Sequence, residues 1–475
     1  MKMSPVVTAP TMLPSDTLLV KLDARVDLRA EAKLPRGAER KTAVWNKLVT
    51  SAQTSQAPLV ELAEQLKASG AIAGYEALVS PNALLIDPAG AKSAEVLKAF
   101  AAAQGVASIY DMSANVKWAR GGAAAAAQGA DVLSGPSSGL DVFDRGAQVD
   151  LTTEERPYGL DMIGAPEANA AGADGTGLVY GSIDTGVDAT HEALVAKYRG
   201  TNADGTQSND YSWFDFGDKR SPSPKDYDTH GTHTIGTVVG GTDANQIGVA
   251  PRAKFISVPG IKPGSGLDVR LKALQFMQAP TRLDGTEANP ALAPDVVGMS
   301  WWTGPGSSDA FGDSLANLVA AGIEPVKSAG NKGPGPETIS APGQFPTVNA
   351  VAAVGPDGQI ADFSSRGPSP LPHVASSPLW KPDFAAPGVD TVSSVPGNRY
   401  QKMSGTSMAQ PHFSGVLLAL LTKFPKLTHD QITTVLKESA VDAGARGRDL
   451  EFGWGTVNVA KALEVAARTF PGAAA

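Results

Sequence analysis

Residues 177–188 read GLVYGSIDTGVD. From Leu178 to Ile183 the run is short and largely apolar, and it stops at Asp184 before a Thr-Gly turn. A run of this kind, bounded by turn residues and without polar alternation, reads as a strand buried on both faces. Similar runs follow: KFISVPG (254–260), DVVGMSWW (295–302), GIEPVKSAGN (322–331) and TVNAVAAVG (347–355). They end in Gly-, Asp- or Asn-bearing turns and alternate with helical stretches. The expected fold class from about Pro157 to Phe470 is therefore α/β, a doubly wound, mostly parallel sheet with helices on both faces. Ligands in such sheets sit at the carboxyl ends of strands, which is where Asp184 stands.

Upstream the pattern differs. TLLVKLDA reads as a strand, Ala43 to Ser69 carries apolar residues at helical spacing and stops at a glycine, and EALVSPNALLIDPAG reads as two strands around a Pro-Asn turn. AEVLKAFAAAQ is helical and VASIYDMSANVKW is expected as a last strand. Residues 1–118 thus form a small α+β domain. The stretch 119–156 contains RGGAAAAAQGADVLSGPSSG, poor in large apolar groups, and is expected to be a flexible linker to a second domain over 157–475.

The totals bound the function. At 475 residues, two domains are expected. With 48 acidic and 40 basic residues the formal net charge is −8, which argues against nucleic acid or an anionic membrane as main partner. No run approaches the roughly 18 apolar residues of a membrane-spanning helix. The absence of cysteine excludes disulfides, thiolate zinc sites and cysteine nucleophiles. MKMSPVVTAPTMLPSD lacks an apolar core segment, so a classical signal peptide is not expected. That places the protein in the cytoplasm or on a non-classical export route.

A serine becomes a nucleophile only with a base, an orienter for that base and donors for the oxyanion. SGTSMAQPH (404–412) places Ser407 where a helix begins, with Pro411 expected in its first turn. There the hydroxyl meets the positive end of the helix dipole, and the Ser407 N–H faces a developing oxyanion. The plainer reading of Ser407 is a helix N-cap. DTHGTHTIGTVVGG offers His230 as the base, with His233 a packed structural residue; a zinc pair lacks the spacing and glutamate of H-E-x-x-H. Asp184 is the candidate orienter, against an Asx-turn reading, while Asp188 looks like an ordinary turn aspartate. Asn331, in SAGNKGPG, is the candidate second oxyanion donor, or else a bare loop residue.

The order Asp184, His230, Asn331, Ser407, within SIDTGVD, HGTHTIGTVVG, SAGNKGPG and SGTSMAQPH, resembles the subtilisin family of serine endopeptidases. The likeness extends over roughly Pro157 to Val465, including GVAPRAKF, DFSSRGPSP and GWGTVNVAKALE. It implies a subtilisin-like fold, a triad of Asp184, His230 and Ser407, and Asn331 in the oxyanion hole. More weakly, it implies that residues 1–118 resemble the propeptides that act as chaperone and intramolecular inhibitor, with a tail between about Ser113 and Gly139 lying in the cleft. The implied partners are a protein or peptide substrate and this N-terminal domain.

By the same resemblance Gly264, Ser265 and Gly266 form an edge strand pairing with substrate. Ser300, Trp301 and Gly330 line the first specificity pocket, and Ser340 lies near its base. Trp302 stands where the family has glycine, and it either narrows the pocket or turns outward. No cofactor is required for the chemistry. Structural calcium is common in the family, but no metal ligands are assigned: Asp243 is the single charged candidate in GGTDANQIGVAP, and Asp204, Asp210 and Asp215 read as a solvated acidic loop. His191, His373, His412 and His429 read as structural or solvated. The alternative to an endopeptidase is a catalytically silent binding protein on the same scaffold.

Overall fold

The computed structural model describes residues 17–112, 116–119, 138–140, 144–151, 156–217, 220–242, 244–303, 310–369 and 379–475. Near the N-terminus, β1 (Leu18–Leu22), β2 (Ile72–Leu78), β3 (Ala83–Pro88), β4 (Val106–Asp111) and β5 (Val116–Ala119) form an antiparallel sheet in the order β2-β3-β1-β4-β5. Helices α1 (Ala38–Ala68) and α2 (Ser93–Ala102) accompany it. The single strand expected after residue 106 is in fact two, paired antiparallel.

The period of two in these strands divides their side chains between two cores. Leu18, Val20, Leu84, Ile86 and Ile109 pack with Leu59, Val96 and Phe100 of the helices. Leu19, Leu85 and Tyr110 join a core shared with the rest of the protein. A block apolar on both sheet faces needs a partner, and the chain supplies one.

Two described pieces of the stretch 119–156, expected as a flexible linker, are strands. Segment β6 (Ser138–Leu140) pairs antiparallel with residues 301–303, and β7 (Asp144–Val149) with residues 399–404. Their composition signals no strand; partner edges elsewhere in the chain satisfy their backbone groups. The alanine run and residues 120–137 lie outside the described residues.

The main sheet is parallel throughout. Its strands are β8 (Val179–Asp184), β9 (Lys254–Pro259), β10 (Val296–Met299), β12 (Glu324–Ser328), β13 (Asn349–Val354) and β14 (Phe384–Pro387), in the order β14-β13-β12-β10-β8-β9. Segment β11 (Trp301–Thr303) continues past β10 to receive β6. The hairpin β15 (Thr391–Val395) and β16 (Arg399–Ser404) carries β7.

After the short helices α3 (Tyr158–Met162) and α4 (Ala165–Ala170), α5 (His230–Val239) and α8 (Thr406–Lys423) cover one face. There Ile235, Val238, Phe413 and Val416 pack with Tyr180, Val296 and Val351. On the other face, α6 (Leu267–Gln278) and α7 (Gly312–Ala320) pack Leu271, Leu274, Leu315 and Leu318 against Ile183, Ile256 and Val297. Helices α9 (His429–Ser439) and α10 (Val459–Thr469) close the chain. Because β8 lies between β9 and β10, the strand order reverses beside it. The crevice beyond its carboxyl end is where this architecture binds ligands.

The N-terminal block docks on the α6–α7 side. Arg40 donates to the carbonyls of Ala320 (2.7 Å) and Val319 (2.9 Å), capping the negative end of α7. Lys41 pairs with Asp295 at 2.8 Å, and the Val79 N–H donates to Gln275 Oε1 at 2.7 Å. Most buried of these contacts is Arg36 Nη1 to Glu324 Oε1 at 2.7 Å, where Glu324 also accepts from His429 Nδ1 at 2.7 Å. Thus His429 serves a buried carboxylate.

Burial alone pushes the Glu324 carboxyl up, but Arg36 and His429 together bring it down to about 2. For His429, burial favours the neutral ring, and the Glu324 bond outweighs it to raise the value. The depressed carboxylate contributes stability that is present above its ordinary 4.5 and lost as pH falls through about 2. The raised imidazole contributes stability that is complete below its ordinary 6.5 and lost as pH rises through the folded value. The contributions of this pair to folding are thus both complete between about 4.5 and 6.5. Within that window, Arg36→Ala in a Ser407→Ala background should cost about 3 kcal/mol, because it leaves a buried charge short of its partner. Coincident calorimetric unfolding of the two proteins at pH 5.5 would refute this.

Candidate active site

Asp184 ends β8 and is 2% exposed. Its Oδ1 accepts from the Thr185 N–H at 2.7 Å and lies 2.5 Å from His230 Nδ1; its Oδ2 accepts from Thr234 Oγ1 at 3.2 Å. Each of these partners can donate, so the carboxylate accepts from all three and fixes the imidazole with a proton on Nδ1. That leaves Nε2 as the basic nitrogen, and it is buried with no hydrogen-bond partner among the described residues.

The approach of α5 to the end of β8 depends on glycine. A Cβ on Gly231 would stand 2.1 Å from the Gly186 carbonyl oxygen, so any larger residue pushes His230 away from Asp184. Asp226, missed in the sequence, ties the same two segments together. It accepts from Thr185 Oγ1 at 2.6 Å and from Thr232 N–H and Oγ1 at 2.8 and 2.6 Å. Burial raises its carboxyl. His233 Nε2 lies 3.0 Å from the carbonyls of both Thr391 and Gln401, and burial takes it down to about 3. It is a neutral structural donor whose Nε2 is already committed, so it does not pair with His230 as a metal ligand.

Ser407 is the second residue of α8 and is fully buried. Helix geometry leaves the N–H groups of this first turn without intrahelical acceptors. Pro411 lies past the first turn in which it was expected, inside the helix. There it cannot donate to the Ser407 carbonyl four residues back. The single Ser300 hydroxyl proton has that carbonyl in reach at 3.2 Å and Gln410 Oε1 nearer, at 2.9 Å, so the two acceptors share one donor. In return Ser407 Oγ donates to the Ser300 carbonyl at 3.2 Å. The hydroxyl is therefore directed at the end of β10 and not at His230.

Asn331 follows β12, and its Oδ1 accepts from the Thr406 N–H and Thr406 Oγ1, both at 2.9 Å. Thr406 in turn accepts from the Gly330 N–H at 3.1 Å. Thr406 thus orients the Asn331 amide from the residue preceding Ser407; the threonine of SGTSMAQPH was visible in the sequence, but its direction was not. Asp184 and His230 are in contact, Asn331 is joined to the turn that carries Ser407, and α5 packs on α8.

The residues expected to bind substrate separate into two groups. Gly330, Ser340 and Ser300 gather at the carboxyl ends of β10 and β12, and a Cβ on Gly330 would meet Ser340 Oγ at 2.6 Å. Gly264, Ser265 and Gly266, expected as an edge strand, form a turn and the entry to α6. Gly264 has φ +84°, and the Ser265 N–H is spent on the Lys262 carbonyl at 2.9 Å, so that donor is not available for pairing. Trp301 is fully buried against Phe311 with Arg270 over its ring, leaving only its backbone at the strand edge. Trp302 turns outward, partly exposed, with Lys332 Nζ 4.4 Å from its ring centre.

Asp215, expected to be solvated, is buried and engaged by Lys262 and by Tyr227 Oη at 2.6 Å. Asp243 and His373 lie outside the described residues. Among the described residues, no group of three or more His, Asp or Glu side chains is disposed to hold a metal ion, so no calcium ligands are assigned.

Comparison with known proteins gives the family. A family model described as the subtilase family matches residues 175–455. Over 298 residues the chain is 40% identical to bacillopeptidase F of Bacillus subtilis (strain 168), covering 61% of this chain and 20% of that protein. Over 312 residues it is 31% identical to subtilisin E of the same organism, covering 65% and 71%. It is 30% identical to the major intracellular serine protease of that organism over 303 residues, covering 62% and 82%. The match thus spans about a fifth of bacillopeptidase F and larger shares of the shorter relatives.

Proposed function

Because this chain belongs to the subtilase family of serine endopeptidases, we propose that it hydrolyses peptide bonds through an acyl-enzyme on Ser407. Chemistry in this family needs no cofactor. The observation that carries the residue assignment is the 2.5 Å contact of Asp184 with His230, which leaves Nε2 as an unpartnered base. The Ser407 hydroxyl leaves the Ser300 carbonyl, passes its proton to Nε2 and attacks the substrate carbonyl. The oxyanion then lies between the Ser407 N–H and the Asn331 Nδ2 group. The imidazolium returns its proton to the leaving amine, and water repeats the sequence to release the acid. Asp184 stays ionised throughout and holds the ring in register.

The N-terminal block, residues 1–118, acts in this reading as an intramolecular chaperone and inhibitor. Two features support it. The block's contacts close the α6–α7 face, and in the stretch that follows the block β6 runs along β11 as an added strand, the way an extended peptide binds a sheet edge. A protein or peptide substrate takes the same edge once that segment leaves.

The rival reading, a silent binding protein, draws on the Ser407 hydroxyl being turned to Ser300 while Nε2 has no partner. Labelling decides between them. A serine-directed sulfonyl fluoride should leave one adduct, on Ser407, after removal of the N-terminal block. An unlabelled serine in that processed protein would leave the binding reading standing.

A further inference from the structure

Trp302 and Lys332 have no part in the reaction described above, yet both stand at the cleft. Resting on the endopeptidase reading, we propose that Lys332 makes the site selective for an acidic side chain on the residue that supplies the scissile carbonyl, the P1 residue.

The position follows from what surrounds it. Ser407 Oγ touches the Ser300 carbonyl, so the reacting atoms lie at the level of Ser300, just before β11. A peptide running along β11 in the direction of β6 pairs first with Thr303, then Trp302, then Trp301, and next reaches Ser300. In the proposed mechanism, Asn331, braced by Thr406, serves the carbonyl of the residue that arrives there. Lys332 is its chain neighbour and the one cation in the segment SAGNKGPGPETIS.

The charge on Lys332 is available. The residue is exposed and forms no salt bridge with any described residue. Its own N–H is tied to Ser365 Oγ at 3.1 Å, so the root of the side chain is fixed. Its ammonium rests over the Trp302 indole, a contact that positions a cation without neutralising it. This accounts for an aromatic at 302: the ring is a platform for Lys332. Below, Gly330 leaves room, and the Ser340 and Ser365 hydroxyls lie 2.6 and 2.7 Å from where its Cβ would be, a short and polar floor instead of a deep apolar one. In the sequence, the first residue after β6 is Asp141. Once a bound substrate covers this exposed ammonium, a carboxylate meeting it gains more than an open surface ion pair does.

The test uses the full-chain enzyme after self-processing, with active sites counted by the sulfonyl fluoride. Peptides identical except for Asp, Asn, Glu, Gln, Leu or Lys at P1 are compared by kcat/KM. Wild type should favour Asp over Asn and Glu over Gln by about tenfold or more. Lys332→Gln should bring both ratios close to one, and Lys332→Glu should invert the order in favour of Lys. Leu preferred over both acids, with acid-to-amide ratios unmoved by either substitution, would overturn the proposal while leaving the endopeptidase reading intact. A protein whose serine takes no label and which cuts none of the peptides overturns that reading, and the proposal with it.

Discussion

Ser407→Ala is expected to lower peptide hydrolysis by about 10⁶-fold, a magnitude known for loss of the nucleophile in a relative. Nothing else in the site can take its place. The chain has no cysteine, and the Ser300 hydroxyl is committed to Gln410 and to the Ser407 carbonyl. The substitution removes one oxygen from a fully buried position whose side chain, among the described residues, bonds to a backbone carbonyl, so the fold should survive. If the chain removes its own N-terminal block, the variant will also accumulate at full length, and N-terminal sequencing beside wild type reads this directly. Equal hydrolysis by variant and wild type would end the assignment of the nucleophile.

Asp184→Asn is expected to cost about 10⁴-fold in kcat with the protein still folded. The two side chains have the same shape, so packing at the end of β8 is kept. The amide, however, cannot accept everything the carboxylate accepts. Oδ1 serves both the Thr185 N–H and the His230 ring, while Oδ2 serves Thr234. An NH₂ group placed toward the ring favours the tautomer whose proton sits on Nε2, and that ring cannot act as base toward Ser407. An NH₂ group placed toward Thr234 leaves the ring in register but removes the negative charge that stabilises the imidazolium. Either arrangement slows the chemical step. A retained circular dichroism spectrum with kcat within tenfold of wild type would contradict the role given to Asp184.

The parallel sheet was readable because each of its strands is a local apolar run ending in a small or acidic residue, and burial on both faces needs no knowledge of partners. Asp184, His230, Asn331 and Ser407 were readable for a related reason: each sits where an element begins or ends, and the chemistry sought specific residue types there. Asp226 and Thr406 were not, because a buried aspartate and a threonine among serines carry no signal until their acceptors and donors are seen. The turn at 264–266 was read as a strand by likeness, and its φ and its bond to Lys262 override that likeness.

By itself, then, the order of residues determined the fold class and the candidate chemical groups, since periodicity and residue type are properties of neighbouring positions. Only the tertiary structure decided where the Ser407 hydroxyl points, which of Trp301 and Trp302 enters the core, what Lys332 rests upon, and that residues 138–140 become a strand. Each of these depends on partners outside the local run, and packing, not local preference, selects among such partners.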